Sequence, residues 1–189
     1  MITIESKFIG NFKTGDNINH NLQVLAILYR YFDGETPQNR RLLCKPIVIS
    51  LISIIDAVLH DLHYRVREFK SEGVRNILNK SRDDIRSLRR MERLEATIRS
   101  AKKHGLIEPA GDAFYDNLDK LRELRNRVHI QNAKKYFPPN EYDAFTEPRK
   151  LEAERAVEKT LKVMAKKYAR DYDFVESFQL PWNPHYPSG

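Results

Sequence analysis

Arg122, Arg125 and His129 are the residues whose types and spacing point most directly to chemistry. They follow one another at intervals of three and four positions, so a helix would place them on one side of successive turns. A guanidinium group holds a phosphate with its planar fork, and a neutral imidazole accepts a proton near pH 7. A nearby guanidinium also pushes an imidazole toward its neutral form. These two functions are what the cleavage of RNA by its own 2′-hydroxyl requires.

An apolar stripe along residues 113–132 predicts the helix that carries this chemistry. On a helical wheel the apolar residues lie on one face; they are Phe114, Leu118, Leu121, Leu124 and Val128. Arg125 falls about 40° from Leu121, at the border of the stripe, and His129 falls beside it one turn later. A charge in that position is partly desolvated and needs an anionic partner. The alternative is that Arg125 forms a structural salt bridge to an acid such as Asp56, while His129 caps or packs the helix.

The segment 121–129, which reads LRELRNRVH, resembles the signature of the HEPN family (higher eukaryotes and prokaryotes nucleotide-binding domains). In that signature an Arg followed by Asn or another polar residue precedes a His on a late helix. The apolar segment 49–59, which contains Asp56, resembles the early HEPN helix that bears an acidic residue. The family pattern usually separates Arg and His by more than the three residues between Arg125 and His129. Either Arg125 acts from one turn away, or Arg122 takes its role and Arg125 supports it.

The resemblance covers residues 15–170 and implies an all-α, HEPN-like fold and metal-independent endoribonuclease activity. The catalytic residues that it implies are Arg125, His129, Asn126 and Arg122. Asp56 would orient Arg125 or His129 across the bundle. The family also implies a homodimer with two Arg–His strips at one cleft, and a toxin, phage-defence or RNA-processing role. An antitoxin or nucleotidyltransferase partner fits such systems, and the alternative is a non-catalytic helical module that binds nucleic acid or a protein.

The distribution of charge favours RNA as the partner. The net charge is +7, and residues 75–104 alone hold ten basic and four acidic residues. Residues 149–170 hold eight basic and three acidic residues, so the rest of the chain is acidic. Two basic segments on an acidic body are typical of a phosphate-binding surface, although solvated helix faces produce the same pattern. The residues predicted to bind RNA are Arg86, Arg89, Arg90, Arg93, Lys102 and Lys103.

Other residue groups predict less. Asp56, His60 and His63 share one side of a helix, but di-metal sites in helical bundles draw carboxylate and His ligands from several helices. No second Glu-x-x-His segment is present, so we expect no metal and no other cofactor. Cys44 is the only cysteine, and nothing near it in sequence would activate it as a nucleophile. Trp182 and Tyr186 could stack on bases, but such a tail more often packs on its own domain or on a partner subunit.

The pattern of apolar residues predicts an antiparallel bundle of four to five helices over residues 15–172, after an extended arm at 1–14. A Pro-rich tail at 173–189 is expected to lie on the surface. The expected helices run from Asp16 or Asn17 to Phe32, Pro46 to Phe69, Arg89 to His104, Ala113 to Asn132 and Pro148 to Asp171. In the polar segment 73–90 the sequence predicts no more than one short turn.

Cytoplasmic location is the expectation for this chain. The N-terminus lacks the basic and apolar regions of a signal peptide. The longest apolar stretch, 47–59, is interrupted by polar residues and is shorter than the roughly 20 residues that span a bilayer. We therefore interpret it as part of the central helix of the bundle.

Overall fold

The computed structural model describes residues 2–69, 74–128 and 140–186, and it confirms the predicted all-α class. Within the described residues the helices are α1 (Phe12–Gly34), α2 (Pro37–Glu68), α3 (Asn79–Arg86), α4 (Leu94–Lys103), α5 (Asp112–Arg125), α6 (Glu141–Ala144) and α7 (Glu147–Tyr168). A short 3-10 helix, Asn126–Val128, follows α5 directly. Two strands, β1 (Ile2–Ile4) and β2 (Phe178–Leu180), complete the described structure.

The central position predicted for the second helix is confirmed. α2 packs against α1 and α7 and also contacts α3, α4, α5 and α6. Many of its apolar residues, including Ile47, Val48 and Leu51, are fully buried. The predicted start at Pro46 is wrong, because the helix begins nine residues earlier at Pro37. Thr36 caps this helix by accepting a hydrogen bond from the Asn39 amide at 3.4 Å. Pro37 fits the first turn because proline has no backbone N–H, and an N–H at that position would have no partner within the helix.

Side-chain caps also set the beginnings of the other two long helices. Asn11 accepts a hydrogen bond from the Thr14 amide at 3.3 Å, so α1 begins before the predicted Asp16 or Asn17. Thr146 accepts from the Arg149 amide at 3.2 Å and starts α7. Residues 73–90 contain the full helix α3 rather than one turn, and α4 begins at Leu94 rather than Arg89. Gly105, at a φ of +58°, follows α4 as the predicted stop.

The C-terminal tail is not the surface arm that the sequence predicted. β2 pairs antiparallel with β1, with Ile2 opposite Leu180 and Ile4 opposite Phe178. Phe178 and Leu180 are completely buried, and Trp182 is 6% exposed and packs on the Tyr29 ring at 5.9 Å. Alternating apolar residues on both strands therefore form part of the core, although prolines exclude a helix in this region.

Two buried glutamates of α7 hold the end of the tail. Glu154 accepts hydrogen bonds from Tyr29 Oη, from Lys150 Nζ at 2.7 Å and from His185 Nε2 at 2.8 Å. Glu158 accepts from the backbone amides of His185 and Tyr186, at 2.9 and 3.2 Å. Buried carboxylates need such partners, so the tail and α7 stabilise each other.

One helix, α2, is long and apolar enough by length and composition to cross a membrane, with an 18-residue window of mean hydropathy 2.2. Half of that window is buried by the rest of the chain, and core helices of soluble proteins have the same composition. The finding is consistent with a soluble protein.

Candidate functional site

An ion pair between α2 and α5 joins two of the residues predicted to form the site. Arg125 Nη1 lies 2.9 Å from Asp56 Oδ2. The side chains remain partly accessible, at 35% for Arg125 and 21% for Asp56. The pair arises because α5 packs against α2 and ends at Arg125, level with the middle of the longer helix. A guanidinium has five N–H donors, so this contact leaves others free to meet a phosphate.

Burial and nearby charges act in opposite directions on the Asp56 carboxyl. Burial raises its pKa above the usual range, while the charges of Arg125 and His60 lower it, and the net shift is upward. The carboxylate is therefore less well solvated than an exposed one and depends on its cationic neighbours. Asp56, Arg125 and His60 thus form one electrostatic unit.

The helix that carries Arg125 is shorter than predicted. α5 stops at Arg125, the Asn126 amide bonds to the Arg122 carbonyl, and the chain continues as a 3-10 turn. A 3-10 turn advances by about 120° per residue, so the α-helical wheel no longer predicts which way the side chains of residues 126–128 point. Val128 is 53% exposed instead of joining the apolar stripe, whereas Arg127 is buried and Tyr115, which the stripe omitted, is buried at its start.

His129 and the remainder of the predicted helix, 130–132, lie outside the described residues. The structure therefore describes the arginine half of the predicted Arg–His strip. Asn126 lies at the junction of α5 and the 3-10 turn, directly after Arg125.

Arg122 and Arg125 have different partners. Arg122 bonds to two acids of its own helix, Asp119 at 2.7 Å and Glu123 at 3.4 Å, and its side chain is only 12% exposed. Arg125 crosses to α2 and is more accessible. Of the two arginines, Arg125 has the geometry of a ligand-binding group, and Arg122 is held by the protein itself.

A cleft of about 350 Å³ opens beside the ion pair. It is lined by Thr14, Asn17, Ser53, Asp56, Ala57, His60 and Glu92. α1 forms one wall, α2 forms the floor, and the turn before α4 supplies Glu92. Arg125 meets the cleft through the Asp56 carboxylate. A concave site with convergent polar groups is where small ligands most often bind.

The six residues predicted to bind RNA fall into two groups of three. Three are neutralised by carboxylates: Arg86 by Asp83, Lys102 by Asp112 and Asp116, and Lys103 by Asp84. The other three, Arg89, Arg90 and Arg93, are exposed and form no ion pair with any described residue. They surround Glu92 on the turn 87–93, which we call the arginine turn. The arginine turn contributes Glu92 to the lining of the cleft, and Lys80 on α3 is likewise exposed with no ion pair to a described residue.

In the second basic segment, 149–170, three of the eight basic residues pair with carboxylates among the described residues. Lys150 is buried against Glu154, Lys162 pairs with Glu158 at 2.8 Å, and Arg149 pairs with Glu152 at 2.9 Å. Arg170 is buried and donates to the Ile9 carbonyl at 3.1 Å. Arg155 and Lys166 of this segment are exposed and form no ion pair with any described residue.

The alternative sites weighed from the sequence do not form within the described part of the chain. No group of three or more His, Cys, Asp or Glu side chains there could hold a metal ion. His63 turns away from Asp56 and His60 into the core, where its Nδ1 lies 2.7 Å from the Leu59 carbonyl. Cys44 is buried, and this burial raises the pKa of its thiol to about 11, which leaves it unreactive at neutral pH.

Comparison with protein-family models, with curated proteins and with solved structures finds no match to this chain. The HEPN resemblance stays a prediction that rests on residues 121–129 and on the helix around Asp56.

Proposed function

We propose that this chain is a metal-independent endoribonuclease of the HEPN type. The observation that carries the proposal is the partly exposed Arg125–Asp56 pair beside a polar cleft. Such a pair presents a guanidinium in a fixed orientation, which suits it to bind the negative charge that develops on phosphorus. The proposed reaction is attack of the RNA 2′-oxygen on the adjacent phosphorus, with loss of the 5′-oxygen.

Each residue has a defined role in this proposal. Arg125 binds the phosphate, and Asp56 orients it. His129 transfers a proton, and Asn126 bonds to the phosphate or positions His129. Arg122 supports the helix end from its enclosed position, which makes it less suited than Arg125 to contact substrate.

The arginine turn extends the proposed substrate path. Arg89, Arg90 and Arg93 are exposed and belong to the same turn as Glu92, which lines the cleft, so they would bind the RNA backbone beyond the scissile bond. Phosphate contacts of this kind give affinity and register without reading the sequence.

The test is cleavage of a labelled single-stranded RNA in the presence of EDTA. We expect wild type to cleave it, because imidazole and guanidinium need no metal, and we expect His129→Ala to lose the activity. His20→Ala is the matched control, because His20 is an exposed histidine outside the cleft lining. Loss of wild-type activity on chelation, with recovery on adding a divalent ion, would contradict the mechanism.

A non-catalytic module that binds nucleic acid is the second candidate. It is favoured by the observation that Arg89, Arg90 and Arg93 form no ion pair with any described residue, whereas one donor of Arg125 is held by Asp56. RNA binding that is equal in wild type and His129→Ala, with cleavage in neither, would select it.

A homodimer, an antitoxin or nucleotidyltransferase partner, and a cytoplasmic toxin, phage-defence or RNA-processing role belong to the same proposal. Two chains facing one cleft would supply an acid and a base across one phosphate.

A further inference from the structure

A second hollow lies between the first half of α1 and the segment 174–177, which leads into β2. Its volume is about 510 Å³, larger than that of the cleft beside Asp56. Its lining includes Phe12, Asp16 and Asn19 from α1 and Phe174, Val175 and Glu176 from the segment. We call this hollow the α1 groove.

Close packing and hydrogen bonds fix the wall of the α1 groove opposite the helix. A Cβ atom on Gly15 would lie 2.6 Å from both methyl groups of Val175, so the segment approaches the helix as closely as it does because this residue is glycine. Asn19 Nδ2 donates to the Glu176 carbonyl at 3.0 Å, and Ser6 Oγ donates to the Val175 carbonyl. The groove is therefore preformed, which lowers the entropic cost of binding.

The charge of the α1 groove is negative. Asp16 and Glu176 are both exposed, and neither side chain forms an ion pair or a hydrogen bond with any described residue. No Lys or Arg occurs among the described residues that line the groove. The chain as a whole has a net charge of +7, so the groove differs in sign from the rest of the surface. It therefore favours a cation over a phosphate.

Two phenylalanine rings line the same groove. Phe12 is 62% exposed and Phe174 is 37% exposed, and exposed apolar residues that share one hollow mark a binding surface more reliably than scattered ones. The face of an aromatic ring attracts a cation. Phe174 already has one such contact, because the Arg170 guanidinium lies 5.0 Å from its ring centre. Tyr172 receives the same guanidinium at 4.3 Å.

We propose that the α1 groove binds an arginine side chain on an extended, basic peptide segment of a partner protein. A guanidinium stacks its plane on an aromatic ring and directs its N–H groups to a carboxylate, and an ammonium lacks that planar geometry. The groove is larger than one guanidinium, and the side-chain amides of Asn17 and Gln23 in its lining can bond to peptide backbone. This docking site goes beyond the proposed RNA chemistry and does not depend on it.

The arginine turn of a second copy offers unpaired guanidinium groups as well. Docking of one copy's turn in the next copy's groove would be head-to-tail, so each added copy would leave another groove and another turn unfilled. The net charge of +7 on every copy opposes such growth. A separate partner protein therefore fits the groove better than a second copy.

The first experiment maps the binding of a short arginine peptide by NMR. Isotopically labelled protein is titrated with acetyl-Gly-Arg-Gly-Arg-Gly-amide, and we expect the backbone amide signals of residues 12–23 and 174–176 to move. A control peptide carries citrulline in place of both arginines, which keeps the shape and removes the charge. It should bind at least about tenfold more weakly. Equal affinity for the two peptides, or signal changes confined to other regions, would overturn the proposal.

The second experiment measures the Kd of the arginine peptide for variants of the groove. Asp16→Asn combined with Glu176→Gln should raise the Kd at least about fivefold, and Phe12→Ala should raise it about threefold. The controls are Asp33→Asn, at an exposed carboxylate without an ion pair to a described residue, and Leu78→Ala, at an exposed apolar residue. Both lie outside the groove lining and should bind like wild type. Thermal unfolding checks that each variant is folded, and unchanged affinity in the folded groove variants would contradict the assignment.

Two further measurements distinguish the peptide from other cationic occupants. Spermidine that displaces the arginine peptide and binds more tightly would assign the groove to a small polyamine and overturn the peptide assignment. Light scattering tests for a second copy as the occupant. Self-association that is lost both in the Asp16 and Glu176 variant and on replacing Arg89, Arg90 and Arg93 by Ala would overturn the separate partner. RNA cleavage enters none of these readouts, so their failure would leave the proposed function standing.

Discussion

Asp56 on α2 and Arg125 on α5 form an ion pair of 2.9 Å whose two side chains both remain accessible from solvent. Exposed and half-exposed pairs contribute only about 0–1 kcal/mol to stability, because water solvates the separated charges almost as well. The pair is therefore better explained by the orientation that it gives to the guanidinium than by the stability of the fold.

The first prediction concerns Arg125→Ala. We expect RNA cleavage to fall by at least about 100-fold, while the melting temperature drops by no more than a few degrees. Arg99→Ala is the matched control, because it also removes an ion pair, with Glu95 at 2.6 Å, but Glu95 does not line the cleft, whereas Asp56 does. Thermal unfolding and cleavage assays compare the two. An Arg125→Ala protein that melts far below wild type would favour a structural salt bridge instead.

A second prediction separates the unpaired arginines from the paired ones. Replacing Arg89, Arg90 and Arg93 together by Ala should lower RNA affinity by at least about tenfold and reduce the slope of log K against log salt by roughly 2. The control replaces Arg86, Lys102 and Lys103, whose charges are already met by carboxylates. It should change affinity less. Equal losses in both variants, measured by fluorescence anisotropy at several salt concentrations, would disprove a special role for the arginine turn.

A third prediction concerns self-association beside the site. Val128 is 53% exposed on the 3-10 turn that follows Arg125, so a partner that covers the site would bury it. We expect wild type to be a dimer in light scattering at micromolar concentration and Val128→Asp to be a monomer, because a buried unpaired carboxylate is costly. Leu78→Asp, which alters an apolar residue that is 78% exposed elsewhere, should remain dimeric. A monomeric wild type would remove the basis for a shared cleft.

A fourth prediction follows from the buried imidazole of His63. Burial, together with the smaller effects of His60 and His104, lowers its pKa from 6.5 to about 4, although the hydrogen bond to the Leu59 carbonyl acts in the opposite direction. The folded protein therefore keeps His63 neutral, while the unfolded chain binds a proton below its ordinary pKa. Stability attributable to this group is complete above pH 7 and is lost as pH falls from about 6.5 toward 4, by about 2 kcal/mol at pH 5.

Urea unfolding at pH 7 and pH 5 measures this effect. His63→Leu should lose about 2 kcal/mol less than wild type between the two pH values, because the group no longer titrates. His20→Gln, an exposed histidine, should keep the wild-type difference. The assignment to His63 fails if His63→Leu and wild type lose the same free energy on acidification.

Local periodicity in the sequence was sufficient to predict the helical class, the buried central helix and the position of Arg125 at the border of an apolar stripe. The 3.6-residue repeat determines which face of a helix is apolar, whatever that face later contacts. Asp56 was also identified in advance as an acid that could meet Arg125, because its helix resembles the early helix of the HEPN pattern that bears an acidic residue. Helix ends were less accurate, since caps such as Thr36 and Asn11 are only single residues.

Only the tertiary structure decided which charges are free and where the tail lies. Lys102 meets Asp116 on another helix, whereas Arg89 meets no described acid, and nothing in the local sequence distinguishes the two. The tail joins the core because Leu180 pairs with Ile2 across almost the entire chain. Contacts of this kind depend on how helices and strands are placed relative to one another. The free energy that favours this placement comes from burying apolar surface throughout the core, and the core is built from residues of all segments together.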